Sequence, residues 1–446
     1  MHIVICKNLN VMTKKSTVNI FWFRRDLRLK DNKGLYFALK NSEDVIPLFI
    51  FDTDITDSLP ENDARVEFIY DSVKKMQNEL QTRQHSMLVV KGKPFDIFKK
   101  LTNDYHIKAV YCNKDHEPYG IERDKKIKEF LKSKDIDFHS YLDHLLFEKD
   151  EVLKNDGTPY HVFSPYGRKF RQVLTKDHLR SYPSEDFLTS FTIPYDVKFP
   201  DLKEIGFKPS QIEFPEKDKK DGIIQSYDKT RDYPAQEGTT RLGIHLRFGT
   251  ISLRQLAKKA LENNDTFLNE LLWREFYAMI LWHYPQVVNK SFKPEYDNIE
   301  WLNDKMQFER WKEGKTGYPM VDAGMRQLAE TGYMHNRVRM ITASFLTKHL
   351  LIDWRWGEAW FAEKLLDFEL SSNNGGWQWS AGSGCDAAPY FRIFNPESQQ
   401  KKFDQDYSYI KKWIPETGTE KYPEPIIEHK FARERCLKTF KKALSN

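Results

Sequence analysis

Glu270, Trp273 and Arg274 in the segment LNELLWREFY (Leu268–Tyr277) stand at i, i+3 and i+4. A helix through them presents an acid, a flat indole and a cation on one face. That face suits a planar anionic ligand, with the indole stacking a base and the guanidinium holding a phosphate. For these three residues alone, a surface Glu–Arg pair beside a half-buried Trp is the better account. In HNRVRM (His335–Met340), Asn336 and Met340 lie one turn apart with Arg337 and Arg339 between them. They offer an amide for a base or flavin edge and an adaptable apolar contact. SSNNGGWQW (Ser371–Trp379) adjoins Asn373, Asn374, Gly375 and Gly376 to Trp377 and Trp379, with Asp367 and Glu369 just upstream. Asn and Gly weaken a helix interior, so local propensity speaks against one here. A turn between helices explains the glycines but not the paired Trp. RDYPAQEGTTRLG (Arg231–Gly243) supplies Gly238, Thr239, Thr240, Arg241 and Gly243 in one loop, whose amides, hydroxyls and guanidinium could grip a pyrophosphate.

The elements that must position these residues divide the 446-residue chain in two. From residue 18 onward, short apolar runs alternate with amphipathic stretches. Strands are expected at Val18–Phe23, Val45–Phe51, Ser86–Val90, Ala109–Cys112 and Phe138–Leu142. Helices are expected at Ala64–Leu80, Phe95–Tyr105 and Ile121–Lys132. This alternation predicts a doubly wound α/β domain with a parallel sheet over 17–147. Arg24, Arg25, Asp26 and Arg28 follow the first strand where a dinucleotide fingerprint would stand, which argues against a dinucleotide bound there in the usual way. A proline-punctuated connector over 148–218 follows, with a helical piece near Arg168–Leu174. Residues 219–446 read as all-helical, with helices such as Phe267–His283 and Met320–Leu328.

Composition narrows the class. Hydrophobic residues at 40% against 30% charged exclude wholesale disorder. A net charge of +5 permits a local basic patch without announcing one. Ten of the eleven Trp lie between Trp273 and Trp413, an asymmetry that a plain core does not require. Cys6, Cys112, Cys385 and Cys436 form no C-x-x-C pair, which argues against a disulfide framework or a thiolate metal site. No segment approaches the roughly 20 apolar residues of a membrane span. The expectation is a cytoplasmic monomer without metal or membrane partner, its first eleven residues a frayed extension.

On these segments the chain resembles the DNA photolyase/cryptochrome family, specifically its class I cyclobutane pyrimidine dimer photolyases. The resemblance also rests on WFRRDLRLKDN (Trp22–Asn32), EGKTGYPMVDAGMRQL (Glu313–Leu328), MHNRVRMITASFL (Met334–Leu346) and DAAPYFRIFNP (Asp386–Pro396), and runs from Val18 to the C-terminus. It implies an α/β domain joined by a long connector to a helical FAD domain. It implies light-driven repair of UV-damaged DNA, in which excited, fully reduced FAD donates an electron to a flipped-out dimer. Extrusion costs less for a dimer, which stacks and pairs poorly.

By matching motif, the resemblance assigns Tyr227, Thr239, Thr240, Arg241, Leu242, Gly243 and Phe267 to FAD. Asp367, Phe368 and Glu369 should line the cofactor, Arg339 should pair with Asp367, and Asn373 should approach the reactive ring nitrogen. In the substrate pocket Glu270 would bond the dimer's polar edge, with Trp273 and Trp379 as an aromatic wedge and Asn336 and Met340 completing the wall. Arg231, Arg274, Tyr277, Arg337, Arg392, Lys401 and Lys402 would meet the DNA. Trp377, Trp354 and Trp301 match an electron-transfer chain running to the surface, whereas Trp282, Trp311, Trp356 and Trp360 are read as packing.

Departures from the family pattern are Glu369 for an Asp, Phe368 for a Gly, Gly243 for a Ser, and Phe267 and Tyr333 for Trp. Members that hold a folate antenna use an acid where Gly120 stands and a Cys-Lys pair where Val288 and Asn289 stand. A second chromophore's identity therefore stays open between a deazaflavin, a flavin and none. A cryptochrome-type blue-light receptor is the alternative, although the dimer-site set is complete here. A (6-4) photolyase would place two His in the helix that here carries Asn336 and Met340. Without the resemblance, the residues support a nucleotide- or nucleic-acid-binding module and no more.

Overall fold

The computed structural model describes residues 17–193, 197–218 and 220–445; the first eleven residues, Cys6 among them, lie outside that range. Five strands form one parallel sheet: β1 (Thr17–Phe23), β2 (Val45–Asp52), β3 (Leu88–Gly92), β4 (His106–Asn113) and β5 (Asp137–Tyr141), in the order β3-β2-β1-β4-β5. Every residue of β2 and all but the first of β1 are buried. Burial on both faces is why these strands read as unbroken apolar runs. Helices Ala64–Gln81, Pro94–Asp104 and Pro118–Lys132 connect them. The last two open on Pro at the first turn, where a missing N–H costs nothing.

Contacts divide the chain into two compact units. The first comprises Met1–Glu148, Leu174–Lys217 and Leu242–Lys259; the second comprises Lys149–Val173, Asp218–Arg241 and Ala260–Asn446. Segments of the proline-rich stretch thus belong to both, and the helix Phe163–Val173 lies in the second. All five strands fall in the first unit, and every named element of the second unit's described residues is a helix. Its core gathers Trp311, Phe345, Leu346, Trp354, Phe361 and Trp377.

A buried charge cluster ties the first unit together. Asp143 is 3% exposed and lies 2.5 Å from Arg28 and 2.7 Å from Arg254. Burial alone would push its carboxyl up, but the two guanidiniums, Arg28 foremost, hold it well below the usual carboxylate range. Its stabilising contribution is therefore present above the unfolded-state pKa near 4 and is lost as pH falls below that value. Asp143→Asn should cost about 3 kcal/mol in urea unfolding at neutral pH, at the low end for a broken buried pair because Arg254 keeps Asp31 at 2.9 Å. The same variant should flatten the stability profile below pH ~4.

Candidate functional site

Helix Asp265–His283 is started by Asn264, whose side chain accepts from the Phe267 N–H. Of its first turns, Phe267, Leu268, Leu271 and Leu272 are buried, which turns Glu270, Trp273 and Tyr277 toward partly open space. The Glu270 carboxylate accepts from Arg231 Nη1 at 2.6 Å. Burial raises its pKa, and the Arg231 charge opposes that shift. Asp232, the next residue after Arg231, accepts from Arg337 Nη2 at 2.6 Å. Arg337 also lies 4.3 Å above the Phe403 ring and within 4.0 Å of the Met340 sulfur. Glu270, Arg231, Asp232, Arg337 and Met340 thus form one connected set, with Asn336 exposed beside it at the start of helix Asn336–Ser344.

The Arg274 side chain is 10% exposed and donates to Glu369 at 2.8 Å, so in the DNA-free protein it is held as a buried ion pair. The longer arm of Glu369, where the family pattern has Asp, accompanies this pairing. Arg392, Lys401 and Lys402 are exposed and make no ion pair among the described residues, which leaves them open to an anion.

Residues 370–381 are helical, contrary to the local propensity of Asn-Asn-Gly-Gly. Tertiary contacts override it. A Cβ on Gly375 would stand 2.1 Å from the Tyr277 ring, so only glycine lets the two helices meet there. Asn374 and Gln378 both donate to the Val287 carbonyl at 2.9 Å, and Gln378 also bonds Asn374. Asn373 donates from Nδ2 to the Glu358 backbone carbonyl (3.1 Å) and carboxylate (2.8 Å). A carbonyl can only accept, so the Asn373 Oδ1 must face away from Glu358.

A second donor set lies in the same unit. Arg339 makes a two-oxygen contact with Asp367, at 2.9 and 3.1 Å. The Tyr333 hydroxyl pairs with the Thr239 hydroxyl at 3.0 Å, and the Arg241 and Arg339 guanidiniums stand 5.0 and 5.8 Å from its ring. Arg241 holds a left-handed φ of 51°, rare for a side chain of its size and a sign of local constraint. Tyr227 meets Phe267 edge to face at 5.2 Å. Leu242 and Gly243 fall in the first unit, where Gly243 opens the short helix Gly243–Arg247. Thr240 is buried, and Phe368 packs against the helical core. His335 accepts the Arg337 N–H at Nδ1, which leaves the proton on the buried Nε2. Burial and the neighbouring arginines lower this imidazole to about 4, so it is neutral near pH 7.

Trp354 and Trp377 are 1% and 2% exposed in one core cluster, and Trp301 packs partly buried against it. Neither the Trp354 nor the Trp377 indole N–H meets an acceptor among the described residues. Trp311, by contrast, donates to the Thr342 carbonyl at 3.2 Å. Trp379 is half-buried on helix Leu370–Ala381. In the first unit, a Cβ on Gly120 would lie 2.6 Å from the Asp115 side chain, so the space an acid at 120 would need is filled by Asp115.

Comparison with known proteins places this geometry. The family description "DNA photolyase" matches residues 19–184, and "FAD binding domain of DNA photolyase" matches residues 267–419. A deoxyribodipyrimidine photo-lyase of a Synechococcus species is 38% identical, over 93% of this chain and 95% of its own. A class III photolyase structure from Agrobacterium tumefaciens superposes with a TM-score of 0.87 at 32% identity, covering 98% of this chain and 99% of that one. An archaeal photolyase structure from Sulfolobus tokodaii, described with two FAD molecules, gives 0.83 at 34% identity, covering 96% and 100%. The chain belongs to the DNA photolyase family. It is accordingly an FAD-binding photo-lyase of DNA repair, on a scaffold that in one relative's structure carries a second flavin. No described helix is long and apolar enough to cross a membrane.

The residues present fit FAD. Two hydroxyls and a guanidinium in one loop suit a pyrophosphate. The Arg339–Asp367 pair and the outward Asn373 Oδ1 supply both donors and acceptors for a polar ring system.

Proposed function

We propose that the protein splits cyclobutane pyrimidine dimers in DNA under blue or near-ultraviolet light, with the dimer flipped into the pocket beside Glu270 and Trp273. The observation that carries this reading is the half-buried Glu270 carboxylate, neutralised by Arg231 and set one helical turn from the Trp273 indole. FAD, when bound, supplies the light-driven electron donation and takes the electron back. Tyr227, Phe267, Thr239, Thr240 and Arg241 would hold it, with Arg339, Asp367, Phe368, Glu369 and Asn373 along its ring system.

The chain's own residues do the rest. Arg231 and Arg337 each hold a carboxylate in the DNA-free protein, and a backbone phosphate competes for both guanidiniums. Transfer of Arg231 to a phosphate frees the Glu270 oxygens for the N–H edge of the dimer, so DNA engagement and pocket opening are one event. Trp273 and Trp379 stack on the extruded bases, and Met340 and Asn336 close the wall. Arg392, Lys401 and Lys402 hold flanking phosphates, which makes binding steeply salt-sensitive despite a net charge of only +5.

Purified holoprotein with reductant and blue light should remove dimers from ultraviolet-irradiated DNA and do nothing in the dark. Bound, photoreducible FAD without repair would transfer the protein to the blue-light receptor reading.

A further inference from the structure

Phe163 lies in the proline-punctuated stretch that no motif singles out, yet it makes one of the closest aromatic contacts in the helical unit. Its ring lies 3.8 Å from Trp273, centroid to centroid, with the planes 7° apart. The two rings are stacked nearly parallel, and the chain on either side of Phe163 holds that contact in place. Its backbone N–H donates to Asp386 Oδ2 at 3.0 Å, and Asp386 sits at a left-handed φ of 49° in the segment that ends in exposed Phe391 and Arg392. Further along the same helix, Arg171 donates to Asn269 at 2.8 Å, and upstream His161 bonds the Tyr284 hydroxyl at 2.7 Å. The chain around helix Phe163–Val173 is thus tied to helix Asp265–His283 through Arg171 and to Tyr284 just beyond it through His161, with Phe163 pressed on one face of the indole.

We infer that Phe163 is a positioning residue for the dimer pocket: it backs the Trp273 indole, fixes its rotamer, and leaves the base only the indole's remaining surface. The inference deepens the proposed reading and rests on Trp273 contacting the dimer. With one face covered, the ring cannot rotate to admit an undamaged base in a different pose, so Phe163 acts on recognition of the extruded dimer and not on contacts to the flanking phosphates. Asp386 couples this backing to the Phe391–Arg392 turn.

The test compares Phe163→Leu, which keeps apolar bulk but removes the plane, with Phe163→Tyr, which keeps the ring. Holoprotein is assayed with a dimer-bearing oligonucleotide and its undamaged counterpart. For Phe163→Leu the concentration of dimer DNA at half-saturation should rise about tenfold, in the range of a lost aromatic pair. Turnover at saturating DNA, the bound-FAD absorbance and affinity for undamaged DNA should stay within about twofold by the same argument. Phe163→Tyr should restore half-saturation. Unchanged half-saturation in Phe163→Leu overturns the inference, as does a Tyr variant as impaired as the Leu one. Trp273→Ala, run alongside, separates the two levels: if it too leaves half-saturation unchanged, the pocket itself has been misplaced, whereas an impaired Trp273→Ala beside a normal Phe163→Leu removes only Phe163 from it.

Discussion

Trp377→Phe should slow the blue-light reduction of oxidised FAD in the purified protein by about a hundredfold, which requires only about 2.7 kcal/mol of added barrier. Phenylalanine keeps the apolar packing but is much harder to oxidise than indole. The site is unusually clean for this comparison. Trp377 is 2% exposed, and its outer ring atoms fill the space over Gly357, where a Cβ would come within 2.0 Å. Phe361 meets it edge to face at 4.9 Å. Its N–H has no acceptor among the described residues, and the same holds for Trp354. The smaller ring leaves a cavity, so some loss of stability is expected, on the order of 1–3 kcal/mol. Repair by chemically reduced protein should remain near the parent rate, because Trp377 has no part in holding the dimer. Bleaching of the oxidised flavin band under continuous light measures the first effect, and dimer loss in the presence of dithionite the second. A variant that bleaches as fast as the parent would remove Trp377 from the path.

Much of this arrangement was legible in the sequence for physical reasons that can be named. β1 and β2 are buried on both faces, so their apolar runs stand out against the mixed helices that flank them. Helix ends moved by a few residues, since Pro94 and Pro118 begin helices that apolar periodicity alone starts later. The segment 370–381 misled because propensity is a local quantity, whereas Gly375 answers to Tyr277 nearly a hundred positions away. Spacing puts Arg274 near the face of Glu270 and Trp273, and only the fold reveals its pairing with Glu369. Asp232 was passed over because nothing in a loop sequence announces that it will bridge Arg231 toward Arg337. Phe163 left no signal at all. It stands in a stretch without sustained periodicity, and its meaning comes entirely from the ring it faces.

Glu270→Ala should lower affinity for dimer-bearing DNA by roughly 10- to 100-fold, the size of one or two hydrogen bonds to a charged group. Affinity for undamaged DNA should hold or rise. The asymmetry follows from the ion pair. Glu270 is the carboxylate that holds Arg231 at 2.6 Å, so its removal both deletes the acceptor for the dimer and releases a guanidinium to any phosphate nearby. Discrimination between damaged and undamaged DNA, the ratio of the two affinities, therefore falls by at least as much as the dimer affinity does. Filter binding or fluorescence anisotropy at fixed salt measures the ratio, and parallel loss of both affinities would mean that Glu270 is only structural. pH supplies an independent check. Burial raises the Glu270 pKa against the opposing pull of Arg231, so the carboxylate is lost at a less acidic pH than an ordinary Glu. In the parent protein, dimer affinity should fall as pH drops through that raised value, and Glu270→Gln should flatten this limb because its amide does not titrate. The same sign governs folding. The native state holds this proton more tightly than the unfolded chain, so Glu270 detracts from stability as pH rises through the window above about 4.5, and Glu270→Gln should remove that slope. A binding profile and an unfolding profile that both flatten in the one variant would tie the two effects to a single carboxyl group.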